Sequence, residues 1–277
     1  MKQIAVFGFG LVGASFAAAV REAKPEIRLL AVDLPEVVAS SAAQRLADEL
    51  VATSDRAGVV AAVERSDLCV LAAPVSVIVA ELPGLLQRAA VVTDCGSTKR
   101  SIWNAALRSP RSGRFVPGHP MAGGPEGGAG QARADLFRGQ TWLVCPEHSD
   151  ADAVAQVESL IALVGAKSVH LSIEAHDRAV ALTSHVPQVL ASILAVLASR
   201  AGAEVAAGPA YRSTIRSAGG AELMWRDIFA SNADEVCVVL REVARELGAV
   251  AAGLEASPAD PAPALAVLAE ARARRSW

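Results

Sequence analysis

The chain has 277 residues, of which 52% are hydrophobic and 4% aromatic, and its formal net charge is −3. This length suffices for one large domain or two ordinary ones with a substantial core. Charges of both signs are interspersed, which excludes the strong basic patch typical of proteins that bind nucleic acid or anionic membranes.

The first 171 residues alternate short strand-like runs with helical stretches. The predicted strands are 4–8, 27–33, 68–74, 90–96, 114–118, 141–145 and 167–171. Most of them are apolar nearly throughout, which is typical of strands buried on both faces. The pattern predicts an α/β domain with a largely parallel sheet covered by helices.

After Glu174 the strand signal stops, and the remaining pattern is helical. The predicted helices are 174–200, 220–231 and 232–254. One face of the last helix is apolar and consists of Val236, Val239, Leu240, Val243, Leu247 and Val250. The stretch SPADPAP (257–263) precedes a final short helix and the basic tail ARARRSW. We predict two domains, 1–173 and 174–277, of which the second is all-helical.

The cysteines and the apolar runs indicate the compartment. Cys69, Cys95, Cys145 and Cys237 lie far apart without metal-ligand spacing, which predicts free thiols in a reducing cytosol and no metal site. The N-terminus MKQIAVFGFG is a strand that runs into a motif rather than a signal peptide. The longest apolar run, 189–198, is too short to cross a bilayer. We therefore expect a cytoplasmic protein without nucleic-acid or membrane partners.

The segment GFGLVG (8–13) matches GxGxxG between a strand and a helix, and Asp33 ends the next strand twenty residues after Gly13. Glycines let the backbone approach a pyrophosphate, and the helix N-terminus stabilises its charge. A carboxylate at Asp33 can accept hydrogen bonds from the ribose hydroxyls and would repel a 2′-phosphate. No arginine follows it, which favours NAD over NADP. The alternatives are a glycine turn that binds nothing and Asp33 as a helix cap. The predicted cofactor contacts are Gly8, Gly10, Leu11, Val12, Gly13, Asp33 and Pro74.

Four later segments resemble the prephenate and arogenate dehydrogenase family when taken together. They are VTDCGSTK (92–99), GHPMAGGPEGG (118–128), EAHDRAVALTSHVPQ (174–188) and MWRDIFASNADEV (224–236). The resemblance spans residues 4 to about 240 in the order and spacing of the family. It implies a Rossmann-type domain, a helical domain that forms the core of a homodimer, and oxidative decarboxylation of a cyclohexadienol in tyrosine biosynthesis.

The resemblance assigns roles to individual residues. His119, ahead of a glycine-rich loop, corresponds to the family histidine beside the ring hydroxyl; a neutral imidazole that accepts its hydrogen bond promotes hydride transfer by about 10²–10⁴-fold. Ser97 corresponds to a serine near the hydroxyl and the nicotinamide, although it could also cap a helix. His185 corresponds to a position that faces the site, with a buried core histidine as the alternative. Arg216 corresponds to the arginine that binds the ring carboxylate, with Arg212 or a surface salt bridge as alternatives.

The chain also departs from the family pattern. Gln188 stands where a second histidine is usual, residues 124–127 are Gly-Pro-Glu-Gly, and TIRSAGGA lacks the usual Asp near Arg216. These positions surround the side-chain end of the substrate, so prephenate, arogenate and an amino-substituted analogue all stay open. We expect no fused chorismate mutase, and after residue 255 no room for a regulatory amino-acid-binding domain.

Two other functions share some of these features. A β-hydroxyacid dehydrogenase or imine reductase has the same two-domain plan but relies on a helix lysine, which 174–200 lacks. A non-catalytic NAD-binding sensor would not need His119, Ser97 and Arg216. The helix 174–200 is apolar around its circumference, which predicts a homodimer through the helical domain, and Pro187 should kink it.

Overall fold

The computed structural model describes residues 1–124, 126–256 and 258–274, so the last three residues of the predicted basic tail lie outside it. The strands are β1 (Gln3–Phe7), β2 (Arg28–Asp33), β3 (Glu49–Ala52), β4 (Leu68–Leu71), β5 (Val92–Asp94), β6 (Phe115–Val116), β7 (Gly118–Pro120), β8 (Thr141–Val144) and β9 (Lys167–His170). The helices that alternate with them are α1 (Leu11–Ala23), α2 (Pro35–Val38), α3 (Ser41–Leu46), α4 (Arg56–Arg65), α5 (Val75–Leu86), α6 (Arg100–Ala106) and α7 (Ala151–Leu163). We call residues 1–172 the sheet region.

The helical region, residues 173–274, follows without a strand in its described part. Its helices are α8 (Ile173–Val180), α9 (Val186–Arg200), α10 (Pro209–Thr214), α11 (Glu222–Ser231), α12 (Ala233–Glu255) and α13 (Ala262–Ala273). The predicted order of an α/β part followed by helices is therefore confirmed.

The main sheet has six parallel strands in the order β3-β2-β1-β4-β5-β6. This is the strand order of a Rossmann dinucleotide-binding fold, in which ligands bind beyond the carboxyl ends of the strands where the order reverses. Here the reversal lies between β1 and β4, so the glycine-rich segment after β1 stands at the expected binding edge.

Three details of the strand prediction were wrong. The sheet has an additional edge strand, β3, with only four residues, of which Val51 is buried and Leu50 is exposed. The predicted strand 114–118 divides at Pro117, because proline has no N–H for a ladder. Its second half, β7, pairs antiparallel with β8, and β8 pairs parallel with β9, in a separate three-stranded sheet. Of these strands β9 is exposed rather than buried.

Alternate residues of the parallel strands pack into two apolar layers. Ile4 and Val6 of β1 face the layer under α1 and α7, whereas Ala5 and Phe7 face the layer under α4, α5 and α6. The core of the helical region is much smaller: its packed cluster consists of Ala181, Val186, Val236 and Val239, and Val180, Ala191 and Ile228 are also buried. Among the six residues predicted to form the apolar face of α12, Leu247 is exposed.

Between α8 and α9 the helix contains a π-helical turn, Ala181–His185, in which the N–H of Val186 donates to the carbonyl of Ala181 five residues earlier. Pro187 lies two residues beyond the end of this turn and cannot donate a helical hydrogen bond of its own. Such turns insert one extra residue into a helix and are frequent at functional sites. The predicted irregularity near Pro187 therefore takes the form of a π-helical turn.

Within the described residues, the helix Ile173–Arg200 is 28 residues long, and its most apolar 18-residue window has a mean hydropathy of 1.7, so length and composition alone would let it cross a membrane. The run 189–198, which was expected to be too short to cross a bilayer, is part of this longer helix, so the expectation did not take the length of the whole helix into account. The side chain of Asp177 in this helix is fully buried against the sheet region, and this contact indicates a helix packed within the protein.

The helical region docks beside the carboxyl ends of β4 and β5. Ser76, at the start of α5, donates both its backbone N–H and its hydroxyl to Asp227 of α11. Thr98, in the loop after β5, shares a hydrogen bond of 2.8 Å with Ser231. These contacts close the edge of the sheet at which Rossmann folds bind their ligands.

Candidate active site

The loop after β1 has the geometry of a pyrophosphate-binding turn. Gly8 has a φ of +85°, and a Cβ there would lie 2.5 Å from the carbonyl oxygen of Ala72. A Cβ at Gly13 would lie 1.9 Å from the carbonyl oxygen of Gly8, so the start of α1 packs against the loop only because this residue is glycine. Gly10 has nothing within 4 Å of a built Cβ, and no side chain caps the helix after it. The first N–H groups of α1, including those of Leu11 and Val12, therefore remain available to an anion.

Asp33 ends β2 beside this loop. Its carboxylate accepts hydrogen bonds from the backbone N–H of Phe9, at 2.5 Å, and of Leu34, at 2.6 Å. The carboxylate is thus fixed next to the glycine-rich turn and keeps lone pairs for further donors. The donor and acceptor set of this edge fits a dinucleotide, with the diphosphate on the α1 N-terminus and the ribose at Asp33.

Two further segments border the same edge. Pro74, a predicted cofactor contact, directly precedes α5. The glycine-rich loop after β7 lies close to α1, since a Cβ at Gly124 would be 3.2 Å from the Leu11 side chain. The loop that follows the His119 strand therefore reaches the nucleotide end of the fold.

Asp94, at the end of β5, connects the strand to both neighbouring loops. Its carboxylate accepts the backbone N–H groups of Gly96, at 2.8 Å, and of Gly118, at 3.0 Å, and pairs with the ammonium group of Lys99. Asp94 and Lys99 are both fully buried. Buried ion pairs are strongly destabilised when one partner is lost, so this pair holds the Ser97 loop and the backbone beside His119 in fixed positions.

His119, in β7, is the first member of a hydrogen-bonded chain that reaches the helical region. Its Nδ1 lies 2.9 Å from Nε2 of His176, and Nδ1 of His176 lies 2.8 Å from Oδ1 of Asp177. His176 and Asp177 are fully buried, whereas His119 is partly exposed. Asp177 in turn accepts the backbone N–H groups of Lys99 and Arg100 at the beginning of α6.

The surroundings set the charge states along this chain. Desolvation by the surrounding protein lowers the pKa of His119 well below its ordinary value, and the nearby His176, Lys99 and His185 lower it further. Desolvation also lowers the pKa of His176, against the opposing effect of Asp177. Burial raises the pKa of Asp177, but hydrogen bonds from His176 and the N–H groups of Arg100 and Lys99 outweigh it and lower that pKa overall. Both histidines are therefore neutral and Asp177 is ionised near pH 7.

His185 lies in the π-helical turn and is 1% exposed. Its Nδ1 is 3.3 Å from Nδ2 of Asn232, and its ring meets Trp225 edge-on at 6.2 Å between centroids. Asn232 Nδ2 also donates to the carbonyl of Asp177, at 2.8 Å. Burial lowers the pKa of His185 to about 4. The alternative of a buried histidine with a local hydrogen bond agrees with this placement, although Nε2 has no partner among the described residues.

Gln188 and the segment with Arg216 meet at the next turn of α9. Gln188 is nearly buried, and its Nε2 donates to the carbonyl oxygen of Gly219. The guanidinium groups of Arg212 and Arg216 are exposed and make no hydrogen bond or ion pair within the described part of the chain. The structure thus brings the backbone after Arg216 to Gln188 but does not bring either arginine into contact with His119.

Ser97 lies in the loop between β5 and α6 and is partly exposed, without a hydrogen-bond partner among the described residues. It does not cap α6, whose first residues are capped by Asp177 from the helical region. Ser97 is therefore free for a ligand, and the helix-cap alternative was wrong.

Sequence reasoning gave no role to His176, Asp177 or Asn232. A signal for the first two was present, because Ile173, His176, Asp177 and Val180 recur at the helical spacing of one buried face. Ionisable residues on such a face are rarely buried unless they are paired. Among residues 1–124, 126–256 and 258–274, no three His, Cys, Asp or Glu side chains come together as a metal site would require.

Comparison with known proteins identifies the family. Residues 16–170 match the family profile described as "Prephenate dehydrogenase, nucleotide-binding domain", and residues 172–265 match "Prephenate dehydrogenase, dimerization domain". The chain belongs to the prephenate dehydrogenase family. The expectations of an oxidoreductase and of NAD as its cofactor are thereby confirmed.

Individual relatives agree with this family assignment. The chain is 29% identical over 270 residues to the prephenate dehydrogenase of Bacillus subtilis, covering 93% of this chain and 71% of that protein. It is 30% identical over 250 residues to the cyclohexadienyl dehydrogenase of Zymomonas mobilis, covering 86% of this chain and 84% of the relative. The crystal structure of Aquifex aeolicus prephenate dehydrogenase with hydroxyphenyl propionate and NAD⁺ has the same fold, with a TM-score of 0.85, 24% identity and coverage of 99% and 97%.

Proposed function

We propose that this member of the prephenate dehydrogenase family catalyses the NAD-dependent oxidative decarboxylation of prephenate to 4-hydroxyphenylpyruvate, a step of tyrosine biosynthesis. The observation that carries the proposal is the neutral, partly exposed His119 at the edge where the nucleotide loop, the Ser97 loop and the helical region meet. A proton acceptor at this edge is the group that the oxidation of a ring hydroxyl requires. The family assignment supplies the class of substrate.

When bound, NAD supplies the acceptor for the hydride that leaves the hydroxyl-bearing ring carbon. His119 accepts the hydroxyl proton as the C–O bond becomes a carbonyl. The ring carboxylate then leaves as CO₂, and its electron pair completes the aromatic ring and places negative charge on the oxygen. His119 can return its proton to that oxygen, which yields the phenol. The histidine must therefore be neutral before the reaction, as its lowered pKa provides.

The other predicted residues have supporting roles in this proposal. Ser97 would hydrogen-bond the ring hydroxyl, since its own hydroxyl is partly exposed and unengaged in the described structure. Arg216 would bind the ring carboxylate, for which a permanently charged, bidentate guanidinium is suited. The exposed position of Arg216 means that substrate binding has to order its side chain.

Arogenate is the second candidate substrate. The amide nitrogen of Gln188 donates one of its two N–H groups to the carbonyl of Gly219, which leaves the second N–H group and the amide oxygen for a ligand. The oxygen can accept a hydrogen bond from the ammonium group of arogenate, and the N–H group can donate one to the keto group of prephenate, so this side chain suits either substrate. An amino-substituted ring analogue remains a third candidate.

We also propose a homodimer formed by the helical region. Only 33% of the most apolar 18-residue window of Ile173–Arg200 is buried. Ile193, Leu194, Val196 and Leu197 are each 45–53% exposed. A groove of about 640 Å³ runs between α9 and α11 and includes Ile193, Leu197 and Phe229 in its lining. Contiguous apolar surface of this kind marks an interface, and a second copy of the helical region would cover it.

The remaining proposals concern organisation and location. The break between β9, which ends at His170, and α8, which begins at Ile173, supports a division into an NAD-binding domain 1–173 and a helical domain 174–277. The free cysteines support a reducing, cytoplasmic location: Cys69 and Cys145 are buried, Cys95 is half-buried and Cys237 is exposed, all without disulfides.

Reduction of NAD by the purified protein, followed with prephenate, arogenate and small 3-hydroxy acids in parallel, tests the proposed reaction. We expect turnover of prephenate and release of CO₂. Turnover of arogenate alone would replace the proposed substrate with the second candidate. Turnover of 3-hydroxy acids alone, or NAD binding without turnover of any of them, would overturn the proposed reaction.

A further inference from the structure

We propose that His176 and Asp177 are positioning residues that hold His119 in the tautomer with its proton on Nδ1, so that Nε2 is free to accept the hydroxyl proton of the substrate. The role of Nε2 as the proton acceptor rests on the proposed function. The tautomer itself follows from the hydrogen bonds of the protein alone.

The first step is the charge of Asp177. Its Oδ1 accepts the backbone N–H of Lys99, at 2.7 Å, and its Oδ2 accepts that of Arg100, at 2.9 Å. These N–H groups belong to the beginning of α6, where the helix dipole also favours a negative charge. The carboxylate is therefore held ionised, and an ionised carboxylate can only accept hydrogen bonds.

The second step is the tautomer of His176. Its Nδ1 lies 2.8 Å from Oδ1 of Asp177, and because that oxygen only accepts, Nδ1 carries a proton. A neutral imidazole has one N–H group. Nε2 of His176 therefore has a free lone pair and can only accept.

The third step transfers the same reasoning to His119. Its Nδ1 lies 2.9 Å from Nε2 of His176, so Nδ1 of His119 must be the donor. The charged or titratable groups that face His119 are His176 on α8, His185 in the π-helical turn and Lys99 before α6. Each of them disfavours a positive charge on His119, which keeps the ring neutral and leaves Nε2 unprotonated.

The tautomer decides whether His119 can act at all. With its proton on Nε2 it would donate a hydrogen bond to the substrate hydroxyl instead of accepting one. The two hydrogen bonds that prevent this are made by His176 and Asp177 of α8. The helical region therefore fixes the tautomer of a base that belongs to the sheet region. The bond between His176 and His119 joins residues 57 positions apart in the chain.

Nitrogen-15 NMR of the histidine rings tests the tautomers without any substrate. The chain has five histidines, and their signals can be assigned by single substitutions. In the unliganded protein near pH 7 we expect a proton on Nδ1 and none on Nε2 for both His119 and His176. A proton on Nε2 of His119 would overturn the inference, even if the protein were a fully active prephenate dehydrogenase.

Kinetics of His176→Phe test the consequence for catalysis. Phenylalanine keeps the ring but offers no acceptor, so Nδ1 of His119 loses its partner. We expect kcat to fall by about 10²-fold or more, given that loss of the orienting acid of the serine protease triad costs roughly 10⁴, with the Kd for NAD unchanged. His176→Gln, which can both donate to Asp177 and accept from His119, should retain more of kcat. His170→Phe, at an exposed histidine bonded to Glu158, serves as the control.

The outcomes separate the two proposals. Equal kcat for His176→Phe and the wild type would overturn the positioning role. If His176→Gln folds but loses as much activity as His176→Phe, the acceptor is not what matters, and the inference is wrong. If the NMR signals show the expected tautomers but no cyclohexadienol is oxidised, the positioning geometry stands and the proposed function fails.

Discussion

The carboxylate of Asp227 accepts two hydrogen bonds from Ser76, one from its backbone N–H at 3.1 Å and one from its hydroxyl at 2.5 Å. Ser76 lies in the first turn of α5, next to the predicted cofactor contact Pro74. Asp227 thus acts across the two regions as a cap for a helix of the sheet region. The hydrogen bonds from Ser76 lower the pKa of Asp227.

Asp227→Ala should lower the free energy of unfolding at pH 7 by about 0.5–2 kcal/mol, the usual effect of losing a helix cap. Because the folded-state pKa is lowered, the contribution is present above the unfolded value of about 3.9 and lost as pH falls through the folded value. Denaturant unfolding at pH 7 and at pH 3 measures both effects. Ser76→Ala, which keeps the backbone donor, should cost less. Equal stability of Asp227→Ala and the wild type at pH 7 would contradict this interpretation.

His119→Asn should lower kcat by about 10²–10⁴-fold, since it removes the proton acceptor while keeping a polar side chain. The affinity for NAD should hardly change. Because the pKa of His119 is well below its ordinary value, the acidic limb of the kcat/KM profile should lie below pH 6.5 and disappear in the variant. If instead His185→Asn abolishes activity while His119→Asn retains it, the base is on the helical region and the assignment fails.

The protein should prefer NAD to NADP, because the carboxylate of Asp33 repels a 2′-phosphate. The ratio of kcat/KM for the two cofactors measures this preference. Asp33→Asn should reduce the preference for NAD, because the amide removes the negative charge. The side chain also supports the turn through the N–H groups of Phe9 and Leu34, so Asp33→Ala should narrow the ratio and also lower stability. Equal or better use of NADP by the wild type would refute the prediction.

Light scattering at micromolar concentration should show a dimer. Leu197→Glu or Ile193→Glu, at side chains that are 53% and 48% exposed, should shift the mass toward that of a monomer, because an unpaired carboxylate strongly destabilises a buried interface. Leu107→Glu, at a comparably exposed leucine of the sheet region (58%), is the matched control and should leave the mass unchanged. A wild-type monomer would remove the basis of this proposal.

Arg216→Ala should mainly raise KM for the cyclohexadienol and leave the affinity for NAD intact, since the expected interaction is with the ring carboxylate. Arg212→Ala is the natural comparison, because both guanidinium groups are exposed on neighbouring turns. If Arg212→Ala gives the larger increase in KM, the resemblance through TIRSAGG is shifted by one turn.

The parts of the fold with a local signal could be predicted from the sequence. The roles of the GFGLVG glycines and of Asp33 could be predicted from the residues around them, because they directly follow apolar strands. The structure places these glycines and Asp33 together at one edge of the sheet. By contrast, β3 was missed because it is only four residues long and, at the edge of the sheet, buries only Val51 among them. The separate sheet of β7, β8 and β9 depends on the break at Pro117, which composition alone did not reveal.

The hydrogen-bonded chain of the candidate site could not be predicted in the same way. His119 and Ser97 were identified because their motifs resemble those of a family. The partners of His119 lie on a different region, and the contact of Asp177 with Lys99 joins residues 78 positions apart. The buried face of α8 indicated only that His176 and Asp177 need partners, and which partners they have depends on the docking of two regions.

The π-helical turn Ala181–His185 has a consequence for how this chain can vary in length. A single extra residue rotates everything beyond it by about 100° around the helix axis. The turn therefore determines the angle around the helix axis between two side chains: Asp177, which points into the sheet region, and Ile193, which faces outward from α9. Deleting one residue here would turn α9 away from its present surroundings while leaving α8 in place. In this short stretch, unlike in a surface loop, the number of residues is constrained as strongly as their identity.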